Sequence, residues 1–210
     1  MLHVGLTGNI ASGKTNARRV FAELGAHAID ADEIAHDLLA PMGEVYRQVV
    51  ENFGAGIVDE DGTINRRRLG SIVFTDCERR QKLNSLVHPP VRAEVKRRIS
   101  DLESTYTAGI IIIDAALMVE TGSYRNYDRL IVVYCEPALQ LDRLLRRGGL
   151  TLEEAKARIT AQMPVDEKLK VADYRINTSG TFGQTREQTE AVYRDLVLYE
   201  IARRGAGRTV

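Results

Sequence analysis

The stretch Gly8-Asn9-Ile10-Ala11-Ser12-Gly13-Lys14-Thr15 constrains this chain more than any other. It fits the pattern G-x-x-x-x-G-K-[ST]. It stands between a short apolar run at residues 2–7 and a segment of helical spacing in which Ala17, Val20, Phe21 and Leu24 share a face. Glycines let the backbone curl so that successive N–H groups point inward as an anion nest. The helix that follows directs its positive end at the same place. A lysine held there reaches the β- and γ-phosphates of a nucleotide, and the next hydroxyl binds the accompanying Mg²⁺. Lys14 and Thr15 are the candidates for those two roles.

Five short apolar runs punctuate the chain: residues 2–7, 26–30 ("AHAID"), 109–114 ("GIIIID"), 128–135 ("DRLIVVYC") and 174–177 ("YRIN"). They are apolar throughout rather than alternating, and helical patterns separate them. Strands of a parallel sheet covered on both faces read this way. The expected fold is therefore α/β, a five-stranded parallel sheet flanked by helices. Helical segments are expected at residues 31–40 and 43–54, then from 66 to about 104 with a break at His88-Pro89-Pro90. A last amphipathic helix is expected over 186–204, with a frayed end beyond it. At 210 residues this is one domain: a core of 1–39, 105–145 and 172–204, a helical insert at about 40–104 and a lid at about 146–171.

Lys+Arg and Asp+Glu balance at 29 each, so anion recognition must be local rather than driven by a global field. The basic runs Arg66–Arg68 and Lys96–Arg98 lack interleaved aromatics, and no nucleic-acid partner is expected. The four histidines and two cysteines show no metal or redox spacing. No apolar run approaches the ~18 residues that span a bilayer. The opening run reads as a strand and not a signal peptide, so a cytoplasmic location is expected.

The phosphate loop alone does not name a reaction. A signalling GTPase needs an N-K-x-D element, which is absent. Many ATPases carry Asp-Glu after an apolar strand, whereas "IIIID" is followed by Ala115-Ala116. A small-molecule kinase needs a carboxylate to orient the acceptor hydroxyl and arginines to cover the moving phosphoryl. Asp30 and Asp32 end a predicted parallel strand, where open α/β sheets bind ligands. Asp32 also suits a helix cap, and the two roles are compatible. "LDRLLRRGGLTLEEAKARITAQ" has the form of a lid, with Arg143, Arg146, Arg147 and Arg158 either covering a ligand or forming a solvated face. His88 before two prolines suits a structural turn as well as a ligand contact.

The stretches "GLTGNIASGKT", "IDADEIAH", "INRRRLGSIVF", "LNSLVHPPV" and "AQMPVDEKLKVADYRINTSG" resemble, in order and spacing, the dephospho-CoA kinase family of P-loop kinases. The resemblance runs from Leu2 to about Leu198. It implies transfer of the ATP γ-phosphoryl to the 3′-hydroxyl of the dephospho-CoA ribose, the last step of coenzyme A synthesis, with Mg²⁺. It implies that Gly8 and Ala11, Ser12, Gly13, Lys14, Thr15 and Asn16 hold the ATP phosphates, and that Asn177 and Gly180 belong to a loop beside the base. Asp32 matches the catalytic carboxylate. Thr7, His88, Leu117 and Arg143 match positions near the reacting groups or the acceptor, with Arg66 on the acceptor side and Arg147, Arg158 and Gln162 on the lid. Asn9 and Ala11 stand where the family pattern has glycines, and "DAALMVE" replaces its D-x-P-L-L-F-E. The alternatives from other classes are a nucleoside-monophosphate or shikimate-type kinase and a non-catalytic nucleotide-binding regulator.

Overall fold

The computed structural model describes residues 1–206, apart from the side chain of Phe74. The chain divides into two compact units, Met1–Asp30 with Asp101–Val210, and Ala31–Ser100.

The first unit is built on five strands: β1 (Leu2–Thr7), β2 (His27–Asp30), β3 (Ile110–Asp114), β4 (Arg129–Tyr134) and β5 (Tyr174–Asn177). Their order is β2-β3-β1-β4-β5 and all pairings are parallel. The central position of β1 follows from its composition. Leu2, Val4 and Leu6 are fully buried on one face with Ile110, Ile112, Ile131 and Val133. Such strands bury both faces and need helical cover. Helix α1 (Lys14–Glu23) supplies part of it through Ala17 and Phe21. Helix α9 (Phe182–Ala206) supplies more through Val192 and Leu196. Register sets Leu6 beside Asp114 and Thr7 beside Val132. The carboxyl ends of β1, β3 and β4 are thereby aligned at one edge of the sheet, the edge that carries the phosphate-loop sequence.

Helix α9 begins four residues earlier than the sequence pattern suggests. The signal is a Thr-x-x-Gln cap: Gln184 N donates to Thr181 Oγ1 at 3.2 Å, and Thr181 N donates to Gln184 Oε1 at 2.9 Å. The helix continues to Ala206, beyond the expected stop, and residues 207–210 of the expected frayed end lie outside the described residues.

The second unit is helical: α2 (Ala31–Leu38), α3 (Glu44–Phe53), α4 (Arg66–Thr75) and most of α5 (Cys77–Thr105). Its core is apolar, with Val45, Val49, Ile57, Leu69, Val73 and Val87 buried together. The expected break at His88-Pro89-Pro90 is not there; α5 runs through both prolines. The prolines remove two amide donors, so the Ser85 and Leu86 carbonyls lose their helical partners. The helix survives because Val87 and Val91, on either side, are packed into the apolar core. The interruption falls instead at Asp76, whose backbone is extended (φ −126°) and whose Oδ1 accepts from Arg79 N at 2.9 Å. That contact starts α5 as an N-cap does.

Candidate active site

β1 stops at Thr7 and α1 starts at Lys14, so residues 8–13 carry the whole turn. Gly8 lies so close to β4 that a β-carbon would stand 2.4 Å from the Val133 carbonyl oxygen. Gly13 precedes α1 with φ 87°, and a β-carbon there would press on Thr178 at 3.0–3.2 Å. Ala11 also has positive φ, 59°, and its methyl is buried with Leu144 and Ala155. The turn is thus shaped by close packing, and it leaves its backbone amides at the positive end of α1, where phosphate oxygens fit.

Below the loop lies a run of alternating charge. Asp114 is 2% exposed, a depth at which a carboxylate needs cations. Lys14 Nζ donates to its Oδ1, and Arg18 Nε stands 3.5 Å from its Oδ2. Arg18 also donates to Asp30. Asp30 and Asp114 are register partners on adjacent strands, where like charges repel. Arg18 answers both, and Lys14 is held at the mouth of the loop. Asp30, one of the two candidate carboxylates, is committed to this ion pair.

The loop after β5 is tied to the same turn. Thr178 Oγ1 donates to the Ser12 carbonyl at 2.6 Å. Arg143, on α6 (Pro137–Arg146), donates to Thr178 Oγ1 at 2.9 Å and to its carbonyl at 2.6 Å. Gln188 brackets the Asn177 backbone, its Oε1 accepting from N at 2.9 Å and its Nε2 donating to O at 2.8 Å. At Gly180 a β-carbon would fall 2.0 Å from Gln184 Oε1. Asn177 is therefore held in place, beside a threonine that touches the phosphate loop, and Gly180 leaves room for the Gln184 side chain.

After α6 the chain turns through Gly148 and Gly149, both at φ 79°, into α7 (Leu152–Thr160), which begins with a Thr151/Glu154 capping box. The residues after α7 return to the loop. Ile10 N donates to Gln162 Oε1 at 2.7 Å, and Asn9 Nδ2 donates to the Met163 carbonyl at 3.1 Å. From α6, Gln140 Nε2 donates to the Ile10 carbonyl at 2.8 Å. Arg158 is half-buried on α7, and Arg147 is exposed at the end of α6.

A buried lysine adds to the first unit's polar interior. Lys168, on α8 (Val165–Lys170), is fully buried. Its Nζ lies 2.8 Å from Glu120 Oε1 and donates to the Ala116 carbonyl at 3.0 Å. Burial pushes the Lys168 ammonium below the usual lysine range; Glu120 opposes that shift and the Lys14 charge adds to it. The Ala116 carbonyl also accepts from Thr7 Oγ1 at 3.1 Å, and Leu117 beside it is exposed.

Asp32, Arg66 and His88 belong to the second unit. Asp32 lies in the first turn of α2, where a carboxylate complements the helix dipole, and is exposed. Arg66 is the exposed first residue of α4, whose start is fixed by Asn65 Oδ1 accepting from Arg68 N at 2.9 Å. His88 is half-buried. Burial, and then the nearby Arg92 charge, lower its pKa.

Sequence reasoning placed no role on Arg18, Glu120 or Lys168. Lys168 hides in "DEKLK", which reads as a solvated charge run; its one signal is the i, i+3 spacing from Val165.

The dephospho-CoA kinase (CoaE) family model matches residues 2–184. A dephospho-CoA kinase of Carboxydothermus hydrogenoformans is 46% identical over 88% of this chain and 89% of its own. One from Geobacillus kaustophilus is 44% identical over 91% of this chain and 94% of its own. Among solved structures, a dephospho-CoA kinase from Campylobacter jejuni superposes with TM-score 0.67 at 30% identity, covering 93% of this chain and 96% of its own. The match embraces both units, the phosphate loop and the helical segment alike, and the chain belongs to the dephospho-CoA kinase family.

Proposed function

We propose that the chain transfers the γ-phosphoryl group of ATP to the ribose 3′-hydroxyl of dephospho-CoA, giving coenzyme A, ADP and a proton. The observation that carries this reading is the span of the family match, residues 2–184, which includes the acceptor-side segment as well as the phosphate loop. A phosphate loop alone would fit many acceptors.

In this reading Gly8 and the loop amides of residues 11–16 cradle the ATP phosphates. Lys14 turns from Asp114 toward the β/γ oxygens, and Arg18 keeps Asp114 compensated when it does. Among the described residues no group of three or more His, Cys, Asp or Glu side chains is assembled to hold a cation. The residues present fit a Mg²⁺ held mainly by phosphate oxygens, with the Thr15 hydroxyl at the start of α1; bound there, the ion neutralises charge on the transferring group. Asn177 and Gly180 border the base. Asp32 orients the 3′-hydroxyl and accepts its proton as the new P–O bond forms. Thr7, Arg66, His88 and Leu117 serve the acceptor, while Arg143, Arg147, Arg158 and Gln162 serve the moving phosphoryl from the α6–α7 arm.

No helix among the described residues is long and apolar enough to cross a membrane. A cytoplasmic enzyme without nucleic-acid partners is the location and class this reading gives. An ADP-release assay with an acceptor panel tests it. Turnover with dephospho-CoA alone supports it, turnover with a nucleoside monophosphate or shikimate replaces it, and no turnover with any acceptor favours a nucleotide-binding regulator.

A further inference from the structure

The polar contacts around the phosphate loop close into a ring. Starting at Thr7, the hydroxyl donates to the Ala116 carbonyl at 3.1 Å. The same carbonyl accepts from Lys168 Nζ at 3.0 Å, and that ammonium lies 2.8 Å from Glu120 Oε1. Glu120 Oε1 also accepts from Met163 N at 3.3 Å. The Met163 carbonyl accepts from Asn9 Nδ2 at 3.1 Å, and Asn9 is two residues from Thr7 along the chain. The ring joins three segments distant in sequence: the phosphate loop, residues 116–120 after β3, and residues 162–168 after α7. Lys168 is its hub, since its one ammonium grips residues 116–120 at both ends.

Lys168 carries no surface that would explain a charge there; the side chain is 0% exposed. A buried ammonium is costly unless its geometry is required or its partners are well placed. An apolar side chain of similar length would fill the same space without that cost. What an apolar chain could not do is hold the Ala116 carbonyl and the Glu120 carboxylate at a fixed separation.

We propose that Lys168 is a positioning residue for phosphoryl transfer: its ammonium fixes residues 116–120, with the exposed Leu117, against the phosphate loop that carries Lys14. The proposal rests on the reading of the chain as a dephospho-CoA kinase. Lys168 touches neither nucleotide nor acceptor in it. It acts by keeping the wall that borders the acceptor in register with the loop that holds the donor. Displacement of such a wall by about 1 Å is enough to cost on the order of 10²-fold in rate.

The test compares four proteins: wild type, Lys168→Met, Lys168→Arg and the double variant Lys168→Met with Glu120→Gln. The single methionine variant takes the ammonium away from the half-buried Glu120 carboxylate and can fail to fold. The double variant removes both charges while keeping their shapes, so it keeps the proposal testable. For each, kcat and KM for both substrates, ATP affinity by equilibrium dialysis, melting temperature, and the ratio of ADP to coenzyme A formed are measured. The expected result for the folded double variant is a kcat lowered by about 10²-fold and an ADP:CoA ratio raised above one, as misaligned ATP is lost to water. ATP affinity stays within threefold, and Lys168→Arg recovers most of the rate. A double variant with kcat within threefold of wild type and a ratio of one overturns the proposal, whatever its melting temperature. Wild type that fails with dephospho-CoA would instead overturn the reading beneath it, so the two failures are distinguishable.

Discussion

The two units differ in where they keep their polarity. Ten polar or charged side chains are buried among the described residues, and all ten belong to the first unit, from Thr7, Asn9 and Ser12 to Asp114, Lys168 and Thr178. The second unit buries valine, leucine and isoleucine together, while Asp32 and the arginines at 66–68 are exposed. Buried, mutually bonded charges are preorganised, and in the proposed reaction they would act on the phosphates in a medium of low dielectric. Exposed ones keep contact with water until a ligand displaces it. A functional change in the second unit should therefore cost activity alone, and one in the first unit should cost activity and stability together.

Asp32→Asn is the sharpest test of the first half of that statement, and the largest expected effect. The variant keeps the shape and capping ability of the aspartate but not its basicity. General-base help is typically worth about 10²–10⁴-fold, so kcat should fall within that range. The melting temperature should stay within about 2 °C of wild type, because the group is exposed. Normal turnover combined with a lowered melting temperature would leave Asp32 as a helix-terminal residue only, and would erase the contrast between the units.

Lys14→Ala probes the other half. Loss of a fixed charge at the developing transition state is expected to lower kcat by about 10²–10³-fold. It also removes the Lys14 ammonium from beside Asp114, and a buried group short of a partner costs about 1–3 kcal/mol. Calorimetry should show a drop of several degrees, at about 2–4 °C per kcal/mol for a chain of this size. A variant with lost activity and an unshifted melting point would mean that the partners left to Asp114, Arg18 among them, satisfy it without Lys14.

Much of this was legible in the sequence, and the reasons differ by region. All five strands lie within a residue of their predicted bounds, because a continuous apolar run flanked by helical spacing leaves few other folds. The phosphate loop was legible because its chemistry depends on consecutive residues. The ring through Lys168 was not, since its members are distant along the chain and meet only once the sheet has aligned the ends of β1 and β3. The continuous α5 was hidden for a related reason. Pro89 and Pro90 are strong local signals for a break, and only the burial of Val87 and Val91 against α3 and α4 outweighs them.

His88 gives the second unit a smaller, pH-dependent signature. Burial first, then Arg92, hold its pKa below the ordinary 6.5. As pH falls through 6.5 the unfolded chain takes up the proton before the folded one does. Stability therefore declines from pH 6.5 downward, and the loss is complete only below the folded-state value. The melting temperature of wild type should fall more between pH 7.5 and 5.5 than that of His88→Gln. Other groups add the same background slope to both proteins, so the difference isolates His88. Parallel curves would show that the imidazole titrates as if solvated, which would extend the wet character of the second unit to this half-buried position.

The smallest effect is expected at Ala11, and it tests whether the first unit's loop is governed by strain or by packing. With φ at 59°, Ala11 occupies a region that costs an L-residue about 1–2 kcal/mol, and glycine would relieve that cost. Against this, Ala11→Gly removes a methyl buried with Leu144 and Ala155, worth about 0.8 kcal/mol. It also loosens the unfolded chain by about 0.4–1 kcal/mol. The terms oppose each other and nearly cancel, so the melting temperature should move by no more than about 4 °C in either direction. Gly13→Ala is the matching control. There φ is 87° and the new β-carbon meets Thr178 at 3.0–3.2 Å, so strain and crowding act together and the variant should be clearly destabilised. If Ala11→Gly raised the melting temperature by as much as Gly13→Ala lowered it, backbone strain alone would set the stability of the loop. The contact between Ala11 and the α6–α7 arm would then contribute nothing.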